Sequence, residues 1–400
     1  MIIGAVRQFA DWTFRVNRHF SSCFFWKSAP QWQKECDLTG MNDRFASVNG
    51  WRAISILLVL GNHTPVILGF PPAHSHFFAT WIDGNLGVRF FFSISGFLIT
   101  WFMLAEAAER KEISLKIFYI RRSLRIWPVY FAYVAIFLGF QICGRNDQSG
   151  DAWRGVFTFT RNFHDQITGN DGDWATAHLW SLSIEEQFYL FWPISFCYFG
   201  KRGRIGFLVA AILFSIGFRT IELFGLYDRH HSHYLFQEYS TFNYLDCLAW
   251  GCLGAFALAA HRVRLETFAR EHSAVVFALC FSMVLFPYLL RFGNGIQAIG
   301  FVGLLLHSVL CPGWVFYRVL NNKWMDRIGI LSYSIYIWQE FVWFMWPPYL
   351  GKVWFLWIPA AIGVAWISYE ILEKPFFALR SKFRNPDMKI PQTVKCLPGL

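Results

Sequence analysis

Arg52 and His63 bracket an almost unbroken apolar run in NGWRAISILLVLGNH, residues 49–63. On an α-helix this interval puts both side chains on one face, about 16 Å apart along the axis. A guanidinium can bind an anion and an imidazole can move a proton. Three further segments embed polar groups in apolar sequence. GNLGVRFFFSISGFLIT (84–100) carries Arg89, Ser95, Gly87 and Gly96. Its small residues admit either a neighbouring helix or a ligand, and Arg89 needs a partner or an anion. FYIRRSLRIWPVYF (118–131) sets Arg122 and Arg125 at i, i+3 and Arg121 and Arg125 at i, i+4. That guanidinium cluster suits phosphate or pyrophosphate, or is ordinary charge at a membrane face. HLWSLSIEEQFYLFWP (178–193) carries Trp180, Glu185, Glu186 and Tyr189. Glu185 is expected near the depth of His63, where a carboxylate would orient an imidazole base.

Other candidates carry less. His74 and His76, and His230, His231 and His233, lie in connections without further ligands for a metal. Asp246 and Arg219 fall within apolar runs and are expected to pair inside a bundle. The sequence has no Walker loop, GxSxG or HExxH. The nine cysteines form no CxxC pair and read as packing residues.

The elements that must position these groups are membrane helices. The chain of 400 residues is 55% hydrophobic and 16% charged, against about 25% charged in soluble domains. The formal charge of +10 lies mostly in short connections and tails, a topology signal that argues against nucleic acid. Ten spans are predicted near 52–70, 86–104, 126–143, 182–199, 205–224, 241–260, 273–291, 296–316, 328–346 and 354–372. Connections on one side carry fifteen Lys and Arg and those on the other five. The positive-inside rule then predicts an all-α polytopic bundle with both termini cytoplasmic. Residues 1–43 are expected to form a cytoplasmic segment, either an interfacial helix or a tail, and 378–400 a basic cytoplasmic tail. The polar connection 144–181 could cover a site.

Taken in order, Arg52-x10-His63, GVRFFFSISGFLI, FYIRRSLRIWP, HLWSLSIEEQFYLFWP, LDCLAWGCLGA and GILSYSIYIWQ resemble the acyltransferase 3 family of membrane O-acyltransferases, across about 44–377. The resemblance implies a bacterial inner-membrane enzyme that moves an acyl group, usually acetyl, from cytoplasmic acyl-CoA to sugar hydroxyls. Such acceptors include surface polysaccharide, lipopolysaccharide, oligosaccharides and glycosylated metabolites. It makes His63 the catalytic base and Glu185 an essential carboxylate. Arg52, Arg121, Arg122 and Arg125 fall on the donor side, and Ser95, Arg89, Trp180 and Tyr189 are assigned to substrate. Acyl-CoA would be a co-substrate; no tightly bound cofactor or metal is expected. The partners implied are acyl-CoA, a saccharide acceptor and membrane lipids. Two positions depart from the family pattern: Gln339 stands where many members carry histidine, and Arg89 where many carry an acid. The rival class is a transporter or flippase of a lipid-linked sugar, in which the buried polar groups would relay protons or hold cargo. The arginine cluster discriminates, since a CoA enzyme needs it for an anionic donor.

Overall fold

The computed structural model describes residues 45, 47–67, 84–110, 113–163, 173–223, 239–285, 293–345 and 356–381. The N-terminal segment, the loop histidines at 74, 76, 230, 231 and 233, and most of the C-terminal tail lie outside the described residues. Among the described residues the fold is entirely helical. The helices are α1 (Val48–Ile67), α2 (Gly84–Arg110), α3 (Leu115–Ile142), α4 (Gly150–Thr158), α5 (Trp174–Ala177), α6 (Leu179–Tyr198) and α7 (Lys201–Leu223). They continue with α8 (Thr241–Glu271), α9 (Ser273–Leu285), α10 (Gly293–Leu310), α11 (Val315–Leu320), α12 (Lys323–Met345), α13 (Trp357–Ser368) and α14 (Lys374–Ser381). A π-helical turn, Tyr369–Glu373, joins the last two.

Each of the ten predicted segments overlaps a helix, although 296–316 runs past the end of α10 into α11. Among the described residues, four helices are long and apolar enough to cross a membrane: Gly84–Glu109, Leu115–Ile142, Lys201–Ile221 and Thr241–Glu271. Phe191, Leu213, Val275, Leu279 and Ile371 are exposed on outward faces, as lipid contact requires. Several boundaries differ from the predicted ones. Helix α3 starts at Leu115, capped by Ser114, so the RRSLR run is helical from its first residue. Helix α8 continues past the predicted 260 through a kink at His261 to Glu271.

The tightest seam is the crossing of α2 and α8. A Cβ on Gly96 would meet the Leu248 carbonyl, and one on Gly251 would meet the Ser93 carbonyl. Gly87 likewise abuts the Ser55 carbonyl of α1. Gly87 and Gly96 of α2 are therefore explained by close helix approach. The connection 144–181 is largely folded rather than a loose cover. Arg161 within it is fully buried, bonding Thr176 Oγ1 at 3.1 Å and the Asp173 carbonyl at 3.2 Å. Tyr130 and Tyr133 of α3 donate to the Val156 and Ala175 carbonyls at 2.8 and 2.5 Å. A buried peptide group needs such partners, and here α3 supplies them.

Candidate active site

Two polar clusters lie at successive levels of α1. At the level of Arg52, the guanidiniums of Arg52, Arg122 and Arg125 are within electrostatic range of one another, of Glu185 and, for Arg52 and Arg125, of Glu373. Helix α3 presents Arg122 and Arg125 one turn apart. Arg122 lies over the Tyr189 ring, 3.6 Å from its centroid, and 3.8 Å from Glu185 Oε2. Ser95 donates to Glu185 Oε1 at 2.5 Å. Glu373 is carried into the cluster by the π turn and accepts from Ser334. Arg52 and Arg125 make no hydrogen bond or close ion pair with any described residue, and both keep part of their surface open. A guanidinium enclosed in a bundle without a matched carboxylate is costly. An anionic ligand between the two would supply what the protein does not.

About 16 Å further along α1, His63 meets helix α12. Its Nδ1 is 3.5 Å from Glu340 Oε1, with the imidazole 33% and the carboxylate 10% exposed. With Nδ1 turned toward the carboxylate, Nε2 is the nitrogen left to meet a substrate. The Gln339 side chain adjoins His63, and both its polar atoms are buried without a hydrogen-bond partner. His178, at the start of α6, is within electrostatic range of His63, with its ring 5.6 Å from that of Tyr336.

The structure redistributes the expected pairs. Glu185 does not serve His63; its carboxylate engages Ser95 and Arg122, and Glu340 is the acid beside the imidazole. The structure seats Glu185 at the level of Arg52 rather than that of His63, against Ser95 of α2 and Arg122 of α3. Ser95, donating to Glu185, is part of the arginine cluster. Arg121 turns away from its neighbours to a buried carboxylate, bonding Glu106 Oε2 at 2.8 Å. Arg89 donates to Gln297 Oε1 at 2.6 Å. Trp180 is buried among Phe92, Tyr239 and Tyr244. Arg219 and Asp246 pair as expected, at 2.5 Å.

The acyltransferase domain profile of the acyltransferase 3 family matches residues 45–372, which contain both clusters except Glu373, the next residue. The chain belongs to this family. It is 26% identical to the peptidoglycan O-acetyltransferase OatA of Listeria monocytogenes over 361 residues, 82% of this chain and 55% of that protein. It is 28% identical to the O-acetyltransferase OatA of Staphylococcus aureus over 288 residues, 66% of this chain and 47% of that one. The chain thus spans about half the length of the curated relatives it matches. No solved structure matches it.

Within the family frame, three acids and bases of the clusters escaped sequence reading. Glu340 follows Gln339 in the segment GILSYSIYIWQ-E, and Glu373 closes the last apolar run. Glu340 lies inside predicted membrane sequence, the same signal that marked Glu185, and Glu373 stands at its edge. His178 opens the segment whose interior carboxylates drew attention instead.

Proposed function

We propose that this chain is an integral membrane O-acyltransferase that moves an acyl group, acetyl foremost, from acyl-CoA to a hydroxyl of a sugar-containing acceptor. The observation that carries the reading is the order of groups along α1. Two unmatched guanidiniums, Arg52 and Arg125, lie one pantetheine-like reach below an imidazole backed by a carboxylate. In this reading all ten predicted spans cross a bacterial cytoplasmic membrane, with the arginine end on the side that supplies acyl-CoA.

The donor's phosphates rest on Arg52, Arg122 and Arg125, and its arm carries the thioester toward His63. His63 Nε2 takes the proton of the acceptor hydroxyl as the hydroxyl oxygen attacks the thioester carbonyl. The C–S bond breaks, the ester forms, and the departing thiolate takes the proton back from the imidazolium, so the enzyme returns to its starting state. Glu340 fixes the ring and stabilises its protonated form. The peptidoglycan acetylation named for the Listeria relative supports a polymeric sugar as acceptor. Acyl transfer is favoured over transport because a transporter has no use for the unmatched arginine pair.

The test is release of free CoA thiol from acetyl-CoA by the purified protein, with oligosaccharide acceptors supplied. His63→Ala should abolish turnover while acetyl-CoA still binds. Retained turnover would remove His63 from its role, and a folded protein that neither binds nor turns over acetyl-CoA would overturn the donor assignment.

A further inference from the structure

Below Arg52, where α1 begins, a cavity of about 140 Å³ opens among Phe45, Ser47, Asn49, Asn321 and Asp326. Enclosed cavities of about 150 Å³ hold a benzene-sized ring, and this one is open on one side, which leaves room for a second fused ring. Ser47 is held at φ +69°, a left-handed conformation unusual for a residue with a side chain. Residues kept in such conformations concentrate at ligand sites. Ser47 is also 3% exposed, and its hydroxyl has no hydrogen-bond partner.

A fastening role accounts for only part of this arrangement. The Ser47 amide donates to Asn321 Oδ1 at 2.7 Å, and Asn49 Nδ2 donates to Asp326 Oδ1 at 2.7 Å. These bonds tie the start of α1 to the α11–α12 junction. They leave the Ser47 hydroxyl, the Asn321 amide nitrogen and the second Asp326 oxygen unused by any described residue. The unused set is one strong acceptor, one donor and one group that can be either, beside an aromatic ring. A phosphate would be repelled by Asp326. A flat heterocycle with an exocyclic amine and adjacent ring nitrogens matches the set: its amine donates to the carboxylate, and its ring nitrogens accept from Asn321 and Ser47.

We propose that this cavity holds the aminopurine base of the acyl-CoA donor. The inference rests on the donor reading above and extends it to a site of its own. Asn49, Arg52 and His63 fall on one face of α1, so base, phosphates and thioester would follow one another along a single helix. Asn49 to Arg52 is about 4.5 Å of rise, and Arg52 to His63 about 16 Å.

The test uses the full chain in detergent and titration calorimetry with three donors: acetyl-CoA, its deaminated hypoxanthine analogue, and S-acetyl-4′-phosphopantetheine, which lacks the nucleoside. The wild-type protein should prefer acetyl-CoA to the deaminated analogue by about tenfold, the worth of one hydrogen bond to a charged group. Ser47→Ala should weaken acetyl-CoA by about tenfold and leave the phosphopantetheine donor within about twofold. Asp326→Asn keeps an oxygen for Asn49 but offers a donor where the carboxylate accepted, so its preference should invert toward the deaminated analogue. A purely structural pocket cannot produce that inversion. Equal losses on all three donors, or no discrimination by the wild-type protein, would overturn the pocket while leaving the acyltransferase reading intact. Absence of any acetyl-CoA binding in the folded wild-type protein would overturn both.

Discussion

Arg121 and Arg125 are one helical turn apart on α3, and the structure gives them opposite roles. Replacing Arg125 with methionine removes a cation that faces Arg52 and Arg122 without a bonded partner. At an effective dielectric of about 20, two unit charges ~7 Å apart repel by about 2 kcal/mol. The neighbouring Glu185 and Glu373 offset part of this, so Arg125→Met should stabilise the ligand-free protein by roughly 1 kcal/mol. Acetyl-CoA binding should fall by about 10- to 100-fold, the loss of a charge-assisted hydrogen bond to phosphate. Arg121→Met does the reverse. It leaves Glu106, whose side chain is 3% exposed, with only the Ser114 amide at 3.4 Å. Removing one partner of such a buried pair costs about 3 kcal/mol, with donor affinity unchanged. Thermal unfolding in detergent, with and without acetyl-CoA, reads both quantities at once, because a ligand that binds only the folded state raises the midpoint. The expected pattern is a raised midpoint and a lost ligand shift for Arg125→Met, and a lowered midpoint with a retained shift for Arg121→Met. If both variants are destabilised alike and both keep the ligand shift, the division into donor-binding and structural arginines is wrong.

Two further perturbations follow from the same geometry. Glu340→Gln keeps the shape beside His63 but not the charge, and should lower kcat by about 10- to 100-fold with acetyl-CoA affinity preserved; an unchanged kcat would leave the imidazole independent of that carboxylate. Asp246→Ala strands Arg219, which otherwise bonds Asp246 through both terminal nitrogens and the Asn243 carbonyl, and should cost about 3–5 kcal/mol in a reversible denaturant titration. The double variant Arg219→Met/Asp246→Leu should recover most of that loss, and a simple sum of the two single effects would refute the pairing as the cause.

The sequence reading succeeded where one-dimensional position carries the information. Helical segments follow from apolar length, and Arg52, Arg122 and Arg125 fall at one end of the bundle by their positions in the apolar runs, but Ser95 and Glu185, read as lying near His63, join the arginines instead. It failed where the direction of a side chain decides. Glu185 reads as lying near the His63 level, but the packing of α6 against α2 and α3 seats it with Ser95 and Arg122, and α12 brings Glu340 to the imidazole. Arg121 and Arg125 both belong to one basic run, but only Arg121 meets Glu106 of α2. The fold of 144–181 was hidden because its buried Arg161 and Asp173 look like surface composition until Thr176 and the tyrosines of α3 are placed against them. Glu373 depends on a local change of helical period that no apolar pattern reports.

That change of period has an evolutionary consequence. A π turn arises when one residue is inserted into an α-helix, and the added residue is absorbed locally. Loss of a single residue within Tyr369–Glu373 would restore a continuous helix, leave α13 and α14 in place, and withdraw the acid from beside Arg52 and Arg125. Gain or loss of one codon could thus retune the charge of the anion site without redesigning the bundle, giving descendants of this chain a short route to donors of different charge.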